Sequence, residues 1–409
     1  MNNREDRRRE KSLKERRRLK TWVRVAIFAI VVLAVGSISL AYLMKPDKSE
    51  TKVADKQQNN INQEKSKPKA EKQPEQKQEQ KQEQKPEPVT ETTIKISAAG
   101  DFTLGTDETF NYSDSFVNVA KANGLPYFVK GLNNIFAEDD LTTVNLETTL
   151  TNATQKATKK FRFKGDPSYT KILELGGIEA VNLANNHIHD YLEKGYTDTI
   201  DALKNQGIGY FGYDHQYITE VKGIKIGALG YEGWQDTPQI RNQVSQAIKH
   251  LREQGAQIVL VHYHWGIERQ YVPNASQKSL ARFTIDSGAD LVLGHHPHVV
   301  QGIEEYNGKF IVYSLGNFMF GGNRNPSDKD TYVFQQTFHL KNGELTDKKE
   351  IAVVPFSISS VSNRNNYQPK LLSGAERDRV KKKIIESSNK INGSDWLVYD
   401  TTEQVVKTE

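Results

Sequence analysis

Residues 180–190 read AVNLANNHIHD. The first five positions are mostly small and apolar, as in a buried strand, and the remainder are dominated by amides, imidazoles and a carboxylate. A strand that runs without a breaker into such donors ends at a polar edge. The same passage recurs at 258–266, IVLVHYHWG, and at 291–298, LVLGHHPH. Two more apolar runs, 94–99 and 142–146, end on Gly100-Asp101 and on Glu147. In an open α/β sheet, ligands bind beyond the carboxyl ends of the strands, so these five ends should meet at one site.

The surrounding pattern supports that reading. Strands are expected at 93–99, 142–146, 180–184, 225–229, 258–262, 291–293 and 309–313. Helical spacing of apolar residues falls between them, at 126–136, 168–175, 196–206, 239–254 and 276–287. Alternating strands and helices define an α/β domain with helices covering the sheet. Two later strands, 331–340 and 350–355, follow each other without a helix and should form an antiparallel edge or a second sheet. An amphipathic helix is expected at 375–391.

Of the ten histidines, seven lie in the three quoted segments. Neutral imidazole, carboxylate and amide oxygen together suit Zn, Mn or Fe rather than calcium. The chain has no cysteine, which excludes a disulfide framework and thiolate-bound zinc. Within 262–264 one imidazole suffices as a ligand, and within 295–298 two suffice. His189 is expected on the outer face, and Asp190 as a hydrogen-bond partner that fixes an imidazole.

The ends of the 409-residue chain differ in character from this domain. Residues 1–24 hold eleven Lys/Arg against four Asp/Glu, an excess of +7, so the remainder carries about −2 of the net +5. The basic charge is therefore local and does not indicate nucleic acid. Residues 25–44, VAIFAIVVLAVGSISLAYLM, contain no charge and would span ~30 Å as a helix, the thickness of a bilayer core. The apolar run exceeds that of a cleaved leader, so it reads as a retained signal anchor. The positive-inside rule keeps residues 1–24 cytoplasmic and places the C-terminal domain outside the cell membrane. Residues 45–92 are Lys/Gln/Glu/Pro-rich and should form a disordered linker, with ends roughly 40 Å apart if flexible. Residues 93–356 then form the catalytic-type domain, and 357–409 a C-terminal extension that either packs on it or hangs free.

Several motifs carry a specific resemblance. In order they are Gly100-Asp101, Asn145-Leu146-Glu147, Leu183-Ala184-Asn185-Asn186-His187 with Asp190, and His264-Trp265-Gly266 with Glu268. Gly294-His295-His296-Pro297-His298-Val299 and Ser314-Leu315-Gly316-Asn317-Phe318 complete the set. Together they resemble the CapA family of poly-gamma-glutamate capsule proteins, over about 94–356. The family is in turn similar to calcineurin-like metallophosphoesterases, which implies a four-layer α/β sandwich holding one or two divalent metal ions. The resemblance implies Asp101, Glu147, Asn186, His264, His296 and His298 as metal ligands, with Glu147 in the bridging place. It implies His187 as the acid near a leaving group, supported by Asp190. Asn145, Glu268, Ser314 and Asn317 are expected to contact substrate, although Ser314 and Asn317 could instead close a polar turn. A phosphoesterase carries histidine two residues after the first aspartate, and this chain has Thr103 there.

The resemblance further implies an accessory role for a capsule polymer, beside a membrane-bound synthetase complex. A hydrolase acting on wall or capsule material and a non-catalytic scaffold are the competing readings. A polyanionic polymer requires a local basic groove, for which Lys159, Lys160, Arg162 and Lys164 are the candidates.

Overall fold

Strand Glu91–Thr103 shows how the layers arise. Ile94, Ile96 and Ala98 face one side and Ala99 the other, the two-residue period of a strand buried on both faces, and an irregularity at Asp101 brings Phe102 to the side of Ala99. The computed structural model describes residues 89–405. The basic segment 1–24, the expected span 25–44 and nearly all of the linker 45–92 lie outside the described residues. Among the described residues no helix is long and apolar enough to cross a membrane.

Two sheets dominate this mixed α/β fold. In the eight-stranded sheet, Glu91–Thr103 is followed on one side by Leu141–Leu146, Ala180–Asn182 and Gly209–Phe211, all parallel. On its other side come Asp330–Lys341, Glu344–Ser357 and Lys370–Leu371, all antiparallel, while Asn317–Phe320 pairs alongside its end. The strands expected near 331 and 350 thus extend the first sheet as its antiparallel edge. The six-stranded sheet has a parallel centre of Ile224–Glu232, Ile258–His264, Leu291–His295 and Lys309–Val312. A small third sheet joins Thr106–Asp107, Phe163–Gly165 and Thr149–Leu150.

The two large sheets bury a common core in which Ile94, Ile96 and Ala98 share a cluster with Ile226, Leu260 and Leu293. On the outer face of the first sheet, Val144 and Val181 cluster with Phe116, Ile172, Ile200 and Leu203 from three helices. On the outer face of the second, Val259 and Val261 cluster with Val244, Ile248 and Leu251 of helix Pro238–Glu253. The order of layers is therefore helices, sheet, sheet, helices. The Pro238–Glu253 helix forms because Thr237 caps it and those three apolar residues recur along one face.

One expectation changes, and one that the sequence left open is decided. Residues 126–136 do not form an α-helix: Leu125–Val129 is a short 3-10 turn, and Asn133 and Asn134 have φ of 50° and 56°. Left-handed asparagines end a helix rather than continue it. The eight-residue helix that does form here is Phe116–Asn123, capped by Ser115. The C-terminal extension packs rather than hangs free. Val380 and Ile384 of helix Gly374–Asn389, with the fully buried Trp396, complete the core between the sheets.

Trp396→Ala should therefore lower the stability of the full chain by about 3–5 kcal/mol, the range for deleting a buried aromatic. Chemical denaturation checks this, and a loss below about 1 kcal/mol would mean that the extension is dispensable to the core.

Candidate metal centre

The carboxyl ends of both sheets meet at one edge, and the site is built there. Gly100 permits the first approach. A β-carbon at this position would lie 1.9 Å from the carbonyl oxygen of Gly316, so only glycine lets the 314–317 turn close against the strand. The strand pairing is irregular on either side of Asp101, and its amide donates to that same carbonyl at 3.0 Å. Its carboxylate, fully buried, sits under loop 295–298. In that loop His296 and His298 hold φ of 93° and 56°, a strained conformation for residues with side chains. This bend directs the two imidazoles toward the acids of the other sheet.

Asp101 Oδ2 lies 3.2 Å from His298 Nδ1, and Asp101 Oδ1 accepts from Asn145 Nδ2 at 2.8 Å. Glu147 Oε1 lies 3.5 Å from His264 Nε2, 3.7 Å from His298 Nε2 and 4.0 Å from His187 Nε2. His264 Nε2 in turn lies 2.8 Å from Asn186 Oδ1 and 3.1 Å from His296 Nδ1. The donors form two groups, Glu147 with His264 and His296, and Asp101 with Glu147 and His298, each with its ligand atoms within 4.8 Å. Glu147 belongs to both. All six residues expected to ligate metal are thus brought together, with Asn186 beside the first group.

The electrostatics fit a cation. Both Glu147 oxygens are buried with no hydrogen-bond partner. Burial, with Asp101 and Glu268 adding to it against His298, pushes its carboxyl well above the usual range. Burial also raises Asp101, but the His295 and His298 imidazoles outweigh it and hold this carboxyl well below. Burial lowers His264 strongly and brings His296 down to about 3, so both present neutral ligand nitrogens. Burial lowers His298 too, yet Glu147 and Asp101 more than offset it and raise the imidazole to about 10. Glu147 has no donor of its own and shares one protonated imidazole with Asp101, so the pair is short of positive charge. These buried imidazole and carboxylate groups could hold a metal ion.

The flanking residues divide into two kinds. His187 faces a cavity of about 390 Å³ together with His298, Glu268 and Asn317. Its Nδ1 lies 2.7 Å from Asp190 Oδ2, so Asp190 orients this ring from behind. Asn145 is not placed to meet substrate: it is fully buried, its amide group reaching Asp101 and His264 and its carbonyl taken by Asn182 and Asn185. Ser314 is likewise internal, donating to the Val299 carbonyl and accepting from the Gly316 amide. Glu268 is exposed on the cavity wall, and Asn317 lies there with Oδ1 2.8 Å from His298 Nδ1. The expected basic groove does not form around residues 159–164. Lys159 binds Asp190, Arg162 donates to the carbonyl of Lys159, and Lys164 donates to that of Ala153.

Further residues support the site behind its ligands. Thr143 Oγ1, His262 and His295 form a buried chain with contacts of 3.0 and 2.9 Å, ending 3.5 Å from Asp101. The alternation of His262 and His264 along one strand was the available signal, since both share a face. Thr103 Oγ1, where a phosphoesterase has imidazole, is buried without a partner.

The family described as bacterial capsule synthesis protein PGA_cap matches residues 95–322 of this chain. A capsule biosynthesis protein CapA of Bacillus anthracis is 32% identical over 273 residues, covering 60% of this chain and 62% of that protein. The chain thus spans less than two thirds of that relative. A PGA biosynthesis protein CapA of Bacillus subtilis (strain 168) is 30% identical over 341 residues, covering 76% of this chain and 82% of that one.

The exposed Trp234 ring lies 5.7 Å from the His264 ring and 4.7 Å from the His296 ring, both edge-on. Mn(II) added to the full chain should quench its fluorescence, and Trp234→Phe should remove that response. Asn145→Ala should weaken the titration by about 10–100-fold, the usual effect of losing a group that orients ligands. A variant that titrates like the wild type would contradict the positioning role of Asn145.

Proposed function

The chain belongs to the PGA_cap (CapA) family of bacterial capsule synthesis proteins, and on that premise we propose a membrane-anchored accessory role in making, exporting or anchoring a poly-gamma-glutamate-type polymer. The span at 25–44 would hold the domain outside the cytoplasm, within reach of a synthetase complex in the membrane. The observation that carries the reading is the Glu147 carboxylate, unpartnered and shared by two donor groups inside the matched segment. Asp101 and His298 would hold one divalent ion, and His264, His296 and Asn186 a second, with Glu147 between them. The fold's layer order and this donor set support a metallophosphoesterase-like centre. Bound Mn, Zn or Fe would supply charge to polarise a phosphoryl or acyl oxygen.

The chain's own residues account for the rest. Asn145 keeps Asp101 and His264 aimed inward from beneath. Burial lowers the basicity of His187, and Asp190 at Nδ1 partly restores it. Its Nε2, on the cavity side, is then placed to exchange a proton with a departing atom. That dyad favours a second reading, in which the domain is a hydrolase acting on wall or capsule material.

Deleting the gene should abolish surface polymer in a strain that makes it, and wild-type but not Glu147→Gln protein should restore it. Unchanged polymer in the deletion strain would end the accessory reading. For the hydrolase reading, the Mn-loaded full chain should cleave a generic phosphodiester, with turnover falling about 100-fold or more in His187→Ala. Full activity in that variant would remove His187 from the chemistry.

A further inference from the structure

The cavity beside the metal centre contains an uncommitted cation. Arg269 is exposed on its wall, between Glu268 and the loop that carries His296 and His298. Its backbone is fixed in the left-handed region at φ 62°, with the amide donating to the Pro297 carbonyl at 2.8 Å. The strain is thus held by the histidine loop itself, which ties the position of Arg269 to that of the metal ligands. Among the described residues its guanidinium makes no ion pair or hydrogen bond. The other arginine of the cavity, Arg324, is already committed, 2.9 Å from Asp114 and stacked over Tyr112.

Part of the cavity lining is aromatic. Phe161 is 41% exposed, with the Lys160 ammonium 4.9 Å from its ring centroid, and Phe163 packs 4.3 Å from the His187 ring. The cavity therefore combines an aromatic surface with a free guanidinium, and His187 and His298 line it as well. A planar guanidinium presents two parallel donors that match a carboxylate. A short methylene stem bearing that carboxylate would lie against the rings.

We infer that Arg269 is the specificity-determining residue of this cavity. It would bind the carboxylate of an acyl chain whose units each carry an acid on a methylene stem, such as γ-linked glutamyl residues. The choice of that chain rests on the function proposed above, whereas the carboxylate site rests on the cavity alone.

The test is equilibrium binding of a short γ-linked glutamate oligomer to the Mn-loaded full chain, with the amidated, neutral oligomer as control. Arg269→Ala should weaken binding of the acid by about tenfold or more, and Arg269→Lys should fall between, keeping the charge but not the paired donors. The neutral oligomer should bind wild type and Arg269→Ala alike. Equal affinity of both proteins for the acid would overturn the inference and leave the proposed function standing. An oligomer ignored by the wild type, while glutarate binds in an Arg269-dependent manner, would keep the carboxylate site and overturn the polymer assignment. Failure of both acids to bind would overturn the site itself.

Discussion

The Glu147 carboxylate is buried at the edge where two sheets meet, and no hydrogen-bond donor of the described chain reaches either oxygen. An ionised carboxylate cannot be left this way at neutral pH without several kcal/mol of cost. The surrounding groups answer that deficit only in part. His298 is drawn into its charged form, yet it must also serve Asp101. Neutral imidazoles at His264 and His296 supply lone pairs rather than charge. What the arrangement lacks is positive charge, at a point to which donors from both sheets converge.

The fold supplies the convergence. Parallel strands in each sheet end at the same edge, so Asp101 and Glu147 arrive from one sheet and His264 and the 295–298 loop from the other. The core between the sheets, closed by Trp396, fixes their spacing. Close approaches then refine it: Gly100 admits the 314–317 turn, and Gly294 admits the Tyr313 carbonyl, which would lie 2.0 Å from an added β-carbon. Backbone strain at His296 and His298 is sustained because packing around the loop leaves few alternatives.

Much of this could be read from the sequence, for a physical reason. A strand buried on both faces has to be apolar until it reaches an edge, so donors that follow it directly mark that edge. This located the segments that carry Asp101, Glu147, Asn186, His187, His264, His296 and His298, while the choice among neighbouring imidazoles came from the family resemblance. It could not separate groups that face the cavity from those beneath it. Asn145 and Ser314 occupy motifs as polar as the rest, but their partners come from residues distant in sequence. The helix expected at 126–136 failed because apolar spacing there reflected packing of turns, and Asn133 and Asn134 adopt left-handed backbone. The Lys159–Lys164 cluster looked available to a polyanion, whereas Asp190 and backbone carbonyls had claimed most of it. Arg269 gave no signal in the sequence, since its role depends on being unpaired.

The central claim is that the shared carboxylate exists to hold divalent metal. Elemental analysis of the full chain, purified without chelators and compared with Glu147→Gln, tests it most directly. The account predicts one or two equivalents of Mn, Zn or Fe in the wild type and a large loss in the variant, because both donor groups share that residue. A wild type that takes up no divalent metal even on reconstitution, or a variant that retains the full complement, would contradict it.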